Sequence, residues 1–128
     1  MTVTVIYYLM SGGDPTVTGI LARRIGAQPL DKAYADFEGL GRRYHDKSVY
    51  VVDDSELMGR QIIERMRNGA KSASIVDPRM AYLNPQEALE RFPTEHPSVV
   101  ITDYQMKRKF GIDGDELIRQ LMEMEKQF

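Results

Sequence analysis

Apolar positions follow two rhythms along this chain: short unbroken runs, and longer stretches spaced at three and four residues. The two alternate. Thr2 to Met10 (TVTVIYYLM) is β-branched and aromatic and stops at Ser11-Gly12-Gly13, which predicts a buried strand. Asp14-Pro15 then offers an N-cap with proline in the first helical position. Val17, Ile20, Leu21 and Ile25 follow at helical spacing, and Gly26 closes that helix. Gln28 to Asp31 is a short strand candidate just before Lys32. Asp36 to Tyr44 sets Phe37, Leu40 and Tyr44 on one helical stripe, against which Gly39 and Gly41 count.

The pattern is sharper in the second half. Ser48 to Val52 predicts a strand that ends in Asp53-Asp54, and Glu56 to Arg67 a helix with Leu57, Ile62, Ile63 and Met66 inward, stopped by Gly69. Ala73 to Val76 predicts a short strand. Pro85 to Phe92 predicts a helix capped by Asn84, with Pro93 and Pro97 bracketing the next turn. Val99 to Thr102 predicts a strand ending in Asp103. Gly114 to Gln127 predicts a helix capped by Asp113, with Leu117, Leu121 and Met124 inward. Five strands alternating with five helices predict an α/β fold, a parallel sheet covered on both faces. Ligands bind such sheets at the carboxyl ends of strands, where the strand order reverses. Asp53, Asp54, Asp103, Ser11 and Lys32 all fall at those ends.

Composition narrows the classes without changing that picture. The 128 residues fit one domain, and 42% hydrophobic with 28% charged residues is ordinary for a globular chain. A net charge of −2 gives no reason to expect nucleic acid or lipid as the main partner. Without cysteine there are no disulfides and no thiolate metal sites, which is compatible with the cytosol. Val3 to Met10 is too short to span a bilayer and no leader pattern precedes it, so a small cytoplasmic domain is expected. The histidines, His45 and His96, lack metal-ligand spacing and read as surface residues. The run Lys107-Arg108-Lys109 reads as a solvated loop, and the methionines as core filling.

Singly, each polar candidate has an ordinary explanation. An Asp-Asp pair after a strand is often a helix cap, a lysine is usually solvated, and a serine before two glycines is usually a turn residue. Their joint placement at separate strand ends is what points to a site. Three carboxylates there would repel one another unless a cation lay between them. Oxygen-only ligation suits a hard ion, and Mg²⁺ needs few protein ligands because it keeps several waters. With a lysine and a hydroxyl added, the site suits a phosphoryl group whose oxygens are neutralised while one aspartate attacks phosphorus.

These residues resemble receiver domains of two-component response regulators. VYVVDDSELMGR (Val49 to Arg60) is similar to that family's first strand, acidic pair and first helix. SVVITDYQM and IDGDELIRQL (Ser98 to Met106, Ile112 to Leu121) are similar to its third strand, phosphoacceptor and following helix. YYLMSGGDP (Tyr7 to Pro15) resembles the fourth strand with its hydroxyl residue, and GAQPLDKAY (Gly26 to Tyr34) the fifth strand with its lysine. The resemblance implies a flavodoxin-like three-layer sandwich, with a five-stranded parallel sheet of order 2-1-3-4-5 and five helices. It also implies a circular permutation: reading residues 48–128 and then 1–46 restores the family order, with His45 to Ser48 as the joining link. Asp103 is then the phosphoacceptor, with Asp53, Asp54, Asp103 and the Gln105 carbonyl holding Mg²⁺. Ser11 and Lys32 would contact the phosphoryl group, while Gln105 and Gly13 occupy positions that tune its hydrolysis.

Two departures are local. Lys107 to Ile112 lengthens the connection after the third family strand, and Pro29 stands where the family has an aromatic switch residue, with Tyr34 nearby. The resemblance implies a histidine kinase or phosphotransfer protein as phosphodonor, and an output partner or a second copy meeting the surface of Asp14 to Tyr44. Two alternatives remain open. One is a permuted module, natural or engineered, that keeps the fold without signalling. The other is a metal-dependent phosphatase, disfavoured because Gln105 stands where such enzymes place a general acid.

Overall fold

Most of the alternating runs that fall among the described residues form the elements that their spacing predicts, with revisions at several ends and one strand, Met80–Leu83, that the spacing does not predict. The computed structural model describes residues 4–10, 24, 26–70, 80–104, 106 and 111–127. Five strands are present: β1 (Val5–Met10), β2 (Gln28–Asp31), β3 (Val49–Val52), β4 (Met80–Leu83) and β5 (Val99–Asp103). The described helices are α1 (Phe37–Arg43), α2 (Glu56–Gly69), α3 (Pro85–Glu95) and α4 (Gly114–Glu125). All strand pairings are parallel, and the sheet order is β2-β1-β5-β3-β4.

Numbered from the start of the chain, this order differs from 2-1-3-4-5, because β5, the last described strand, inserts between the β1–β2 and β3–β4 pairs. Four helices rather than five lie among the described residues. Apart from Arg24, which is helical, the helix expected at Val17 to Ile25 lies outside the described residues, as does the strand expected at Ala73 to Val76. The neighbour of β3 is β4, a four-residue strand squeezed between Asp77-Pro78 and the cap Asn84 and therefore easily passed over.

Side chains that alternate along each strand divide the core into two layers. Tyr7, Leu9, Val49, Val51, Val99 and Ile101 face Phe37, Ile62, Ile63 and Met66 of α1 and α2. Ile6, Tyr8, Tyr50, Val52 and Val100 face Ala88, Phe92, Leu117, Ile118 and Leu121 of α3 and α4. Tyr7 and Tyr8 are thus both core, one per face. Helices α1 and α2 cross at backbone contact. A Cβ on Gly41 would overlap the Met66 carbonyl, and one on Gly69 would overlap the Glu38 carbonyl. The glycines that weaken α1 as a sequence-predicted helix are what let it dock.

Four local expectations are corrected. Leu57 is exposed, because it sits about 140° around the helix from Ile62 at ~100° per residue. Pro93 lies inside α3, near its end, where it removes only one intrahelical bond. The last turn still closes through the His96 N–H to the Phe92 carbonyl (2.8 Å). Asp113 stands at the N-cap of α4, but its side chain accepts from the Met106 N–H (3.2 Å) instead of capping the helix. His96 is not a plain surface residue: it is half-buried, packs edge-on against Phe92 and meets Glu125 (3.0 Å).

The same Glu125 carboxylate accepts from the Thr4 N–H (3.0 Å), while the Thr4 hydroxyl donates to the Pro97 carbonyl (2.7 Å). The start of β1 and the end of α4 therefore lie side by side at the amino edge of the sheet. From α1 the chain enters β3 through a short turn, in which the Lys47 N–H bonds the Tyr44 carbonyl and the Ser48 carbonyl accepts from Ser98 and Val99. Among the described residues, no helix is long and apolar enough to cross a membrane.

Candidate functional site

At the opposite edge, β3 and β5 are adjacent and parallel, so the residues that end them project into one place. Val52 pairs with Thr102, which puts Asp53 and Asp103 side by side. This is also where the connections diverge: the chain leaves β3 towards β4 on one side, while β5 adjoins β1 on the other. A crevice at such a reversal is where open α/β sheets bind ligands.

Each side chain is set by its own element. Ser55 caps α2 through its hydroxyl, accepting from the Met58 N–H (3.2 Å), and its own N–H donates to Asp53 Oδ1 (2.8 Å). That fixes the Asp53 carboxylate at the start of the helix. Asp103 is the last residue of β5 and almost wholly buried. Lys32 leaves β2 in a turn held by its N–H to the Met10 carbonyl (2.8 Å) and by the Ala33 N–H to Asp31 Oδ1 (2.8 Å). Its ammonium lies 3.6 Å from Asp53 Oδ2 and 3.4 Å from Asp103 Oδ2. One lysine thus bridges two buried carboxylates, and Asp54 adds a third.

Charge is out of balance there. Burial, the Asp53 and Asp54 charges and only partial relief from Lys32 push the Asp103 carboxyl up to about 6. Burial likewise raises Asp53, against the opposing effects of the Ser55 N–H and Lys32. Among the described residues Asp53 Oδ2 is buried and accepts no hydrogen bond. Asp53, Asp54 and Asp103 can each offer an oxygen, all within 4.8 Å of one another. A small hard cation ~2.1 Å from each ligand holds its oxygens about 3–4 Å apart, so a slight inward shift would seat one. The donor set, an Asp53 oxygen that is ion-paired with Lys32 but accepts no hydrogen bond, and the excess negative charge all fit a divalent metal.

Of the residues singled out from sequence, Lys32, Asp53, Asp54 and Asp103 are brought together. Ser11, Gly13 and Gln105 lie outside the described residues. Pro29 sits in edge strand β2 opposite Tyr8, where a missing N–H costs no internal pairing. Tyr34 is 88% exposed beyond the Lys32 turn. Sequence reasoning missed Tyr82, whose hydroxyl donates to the Asp53 backbone carbonyl (2.7 Å). Its only trace in the sequence is Gly59, a glycine inside a helix whose place against Tyr82 becomes evident once β4 is known. Compared with family models, with curated proteins and with solved structures, the chain matches none.

Proposed function

We propose that this protein is a phosphoryl-accepting receiver domain of the response-regulator type, circularly permuted, with Asp103 as the acceptor. The observation that carries the reading is the bridging of two buried strand-end aspartates, Asp53 and Asp103, by Lys32, with Asp54 beside them. Strand order supports it. Counted from β3 and continued through β1, β2-β1-β5-β3-β4 becomes 2-1-3-4-5 read from the other edge, the flavodoxin-like order.

Asp103 Oδ would attack phosphorus as the bond to the donor's imidazole nitrogen, or to the acetate oxygen of acetyl phosphate, breaks. The donor group leaves with that electron pair. With its carboxyl near 6, Asp103 is mainly ionised at neutral pH and remains a nucleophile. Lys32, which pairs with both carboxylates, would shift to pair the new phosphoryl oxygens. Asp53, Asp54 and Asp103 would hold Mg²⁺, which supplies charge neutralisation when bound. A histidine kinase or phosphotransfer protein is the expected donor, and the segment from Asp14 to Tyr44 the expected surface for an output partner.

The test is intact-mass spectrometry after incubation with acetyl phosphate, with and without Mg²⁺, beside Asp103→Asn. One Mg²⁺-dependent phosphoryl adduct, absent from the variant, is expected. If no adduct forms, the chain is a receiver-like scaffold that does not accept phosphate.

A further inference from the structure

Asp53 is held at three points, two of them from outside its own strand and helix. Its Oδ1 accepts from the Ser55 N–H, its Oδ2 faces Lys32, and its backbone carbonyl accepts from the Tyr82 hydroxyl at 2.7 Å. The Asp53 carbonyl and the Asp54 N–H share one rigid peptide plane. A hydrogen bond that fixes the carbonyl therefore fixes the plane from which the Asp54 side chain departs.

Tyr82 is itself set with care. It lies in β4 opposite Val51 of β3, and its ring presses on the backbone of α2 at Gly59, where a Cβ would overlap the ring. It is not simple core filling: Tyr8 and Tyr50 are 0% and 1% exposed, whereas Tyr82 is half-buried and lines an open cleft of about 510 Å³ with Arg60 and Arg67. The ring is located by sheet and helix, and its one polar atom is spent on the acidic pair.

We propose that Tyr82 is a positioning residue for the ion site, its hydroxyl clamping the Asp53–Asp54 peptide so that both carboxylates face the cation. This rests on the reading of the acidic cluster as a divalent-cation site. It makes edge strand β4, which contributes no ligand, a determinant of cation affinity.

The test compares Mg²⁺ and Mn²⁺ affinity, by calorimetric titration, in the wild type, Tyr82→Phe and Tyr82→Leu, each confirmed folded by circular dichroism. Removing an outer partner of a metal ligand commonly weakens binding about tenfold. Tyr82→Phe keeps the ring against Gly59, so a weakening of that order, with the ion-free thermal midpoint little changed, is the expected result. A purely structural tyrosine predicts the reverse: unchanged affinity in Tyr82→Phe, and loss of stability only in Tyr82→Leu. Equal affinity in the wild type and Tyr82→Phe overturns the assignment and leaves the ion site standing. Absence of saturable Mg²⁺ or Mn²⁺ binding to the wild type overturns both.

Discussion

Asp103 is a carboxylate that the fold makes reluctant to ionise, and that has a measurable price. Its carboxyl is raised from 3.8 to about 6, chiefly by burial and then by Asp53. A folded-state value above the unfolded one favours the folded state when the group is protonated, and that advantage is lost as pH rises through about 6. Without divalent ions, Asp103→Asn should match the wild type near pH 4 and exceed it at pH 8, by at most on the order of 3 kcal/mol. Urea titrations at both pH values would check this, and a variant no more stable at pH 8 would refute it. Lys32→Met should raise the Asp53 and Asp103 carboxyls further, because it removes a cation that pairs with both. Carboxyl chemical shifts followed against pH would show it. Four of the site residues were legible in the sequence because each ends or follows a strand whose apolar run is unmistakable. Tyr82 was not, since what recruits it is a neighbour across the sheet, and sequence patterning does not record which strands are neighbours.

Helices α1 and α2 illustrate how local preference and tertiary contact can pull in opposite directions. Gly69 is unfavourable in a helix by about 1 kcal/mol relative to alanine, so propensity alone predicts that Gly69→Ala stabilises. Contact with the Glu38 carbonyl predicts the opposite sign, a loss of roughly 1–3 kcal/mol from overpacking. Chemical denaturation separates the two, and a stabilised variant would mean the helices do not cross this closely. The same tension explains what was readable among the elements. β1, β2, β3, β5 and all four described helices were visible as patterned runs, to within a few residues at their ends. Leu57 was misread as inward because hydrophobic character stood in for angular position, and β4 was missed because turn residues on both sides leave it only four positions.

Taken together, the elements place the two ends of the described chain next to each other and the acidic site at the far edge. The Thr4 N–H and His96 both meet the Glu125 carboxylate. If the fold is a permuted receiver, a chain joined by a short linker between its present ends and reopened at His45 to Ser48 should fold to the same sheet. It should also retain divalent-ion binding, because neither the join nor the cut touches Lys32, Asp53, Asp54 or Asp103. Circular dichroism and a Mg²⁺ titration would test both, and loss of either would count against the permutation. For the present chain, saturating Mg²⁺ at about a hundred times its dissociation constant should add roughly 2.7 kcal/mol to stability at neutral pH. Asp53→Asn should abolish that gain.

The position of β5 has a further consequence, in time rather than space. The sheet's central strand is the last described strand to be made, so during synthesis the β1–β2 and β3–β4 pairs exist with no strand between them. Each would offer an open strand edge to the surroundings until Val99–Asp103 emerges. Nascent chains arrested before that point should be open to protease, with resistance arriving in one step rather than strand by strand.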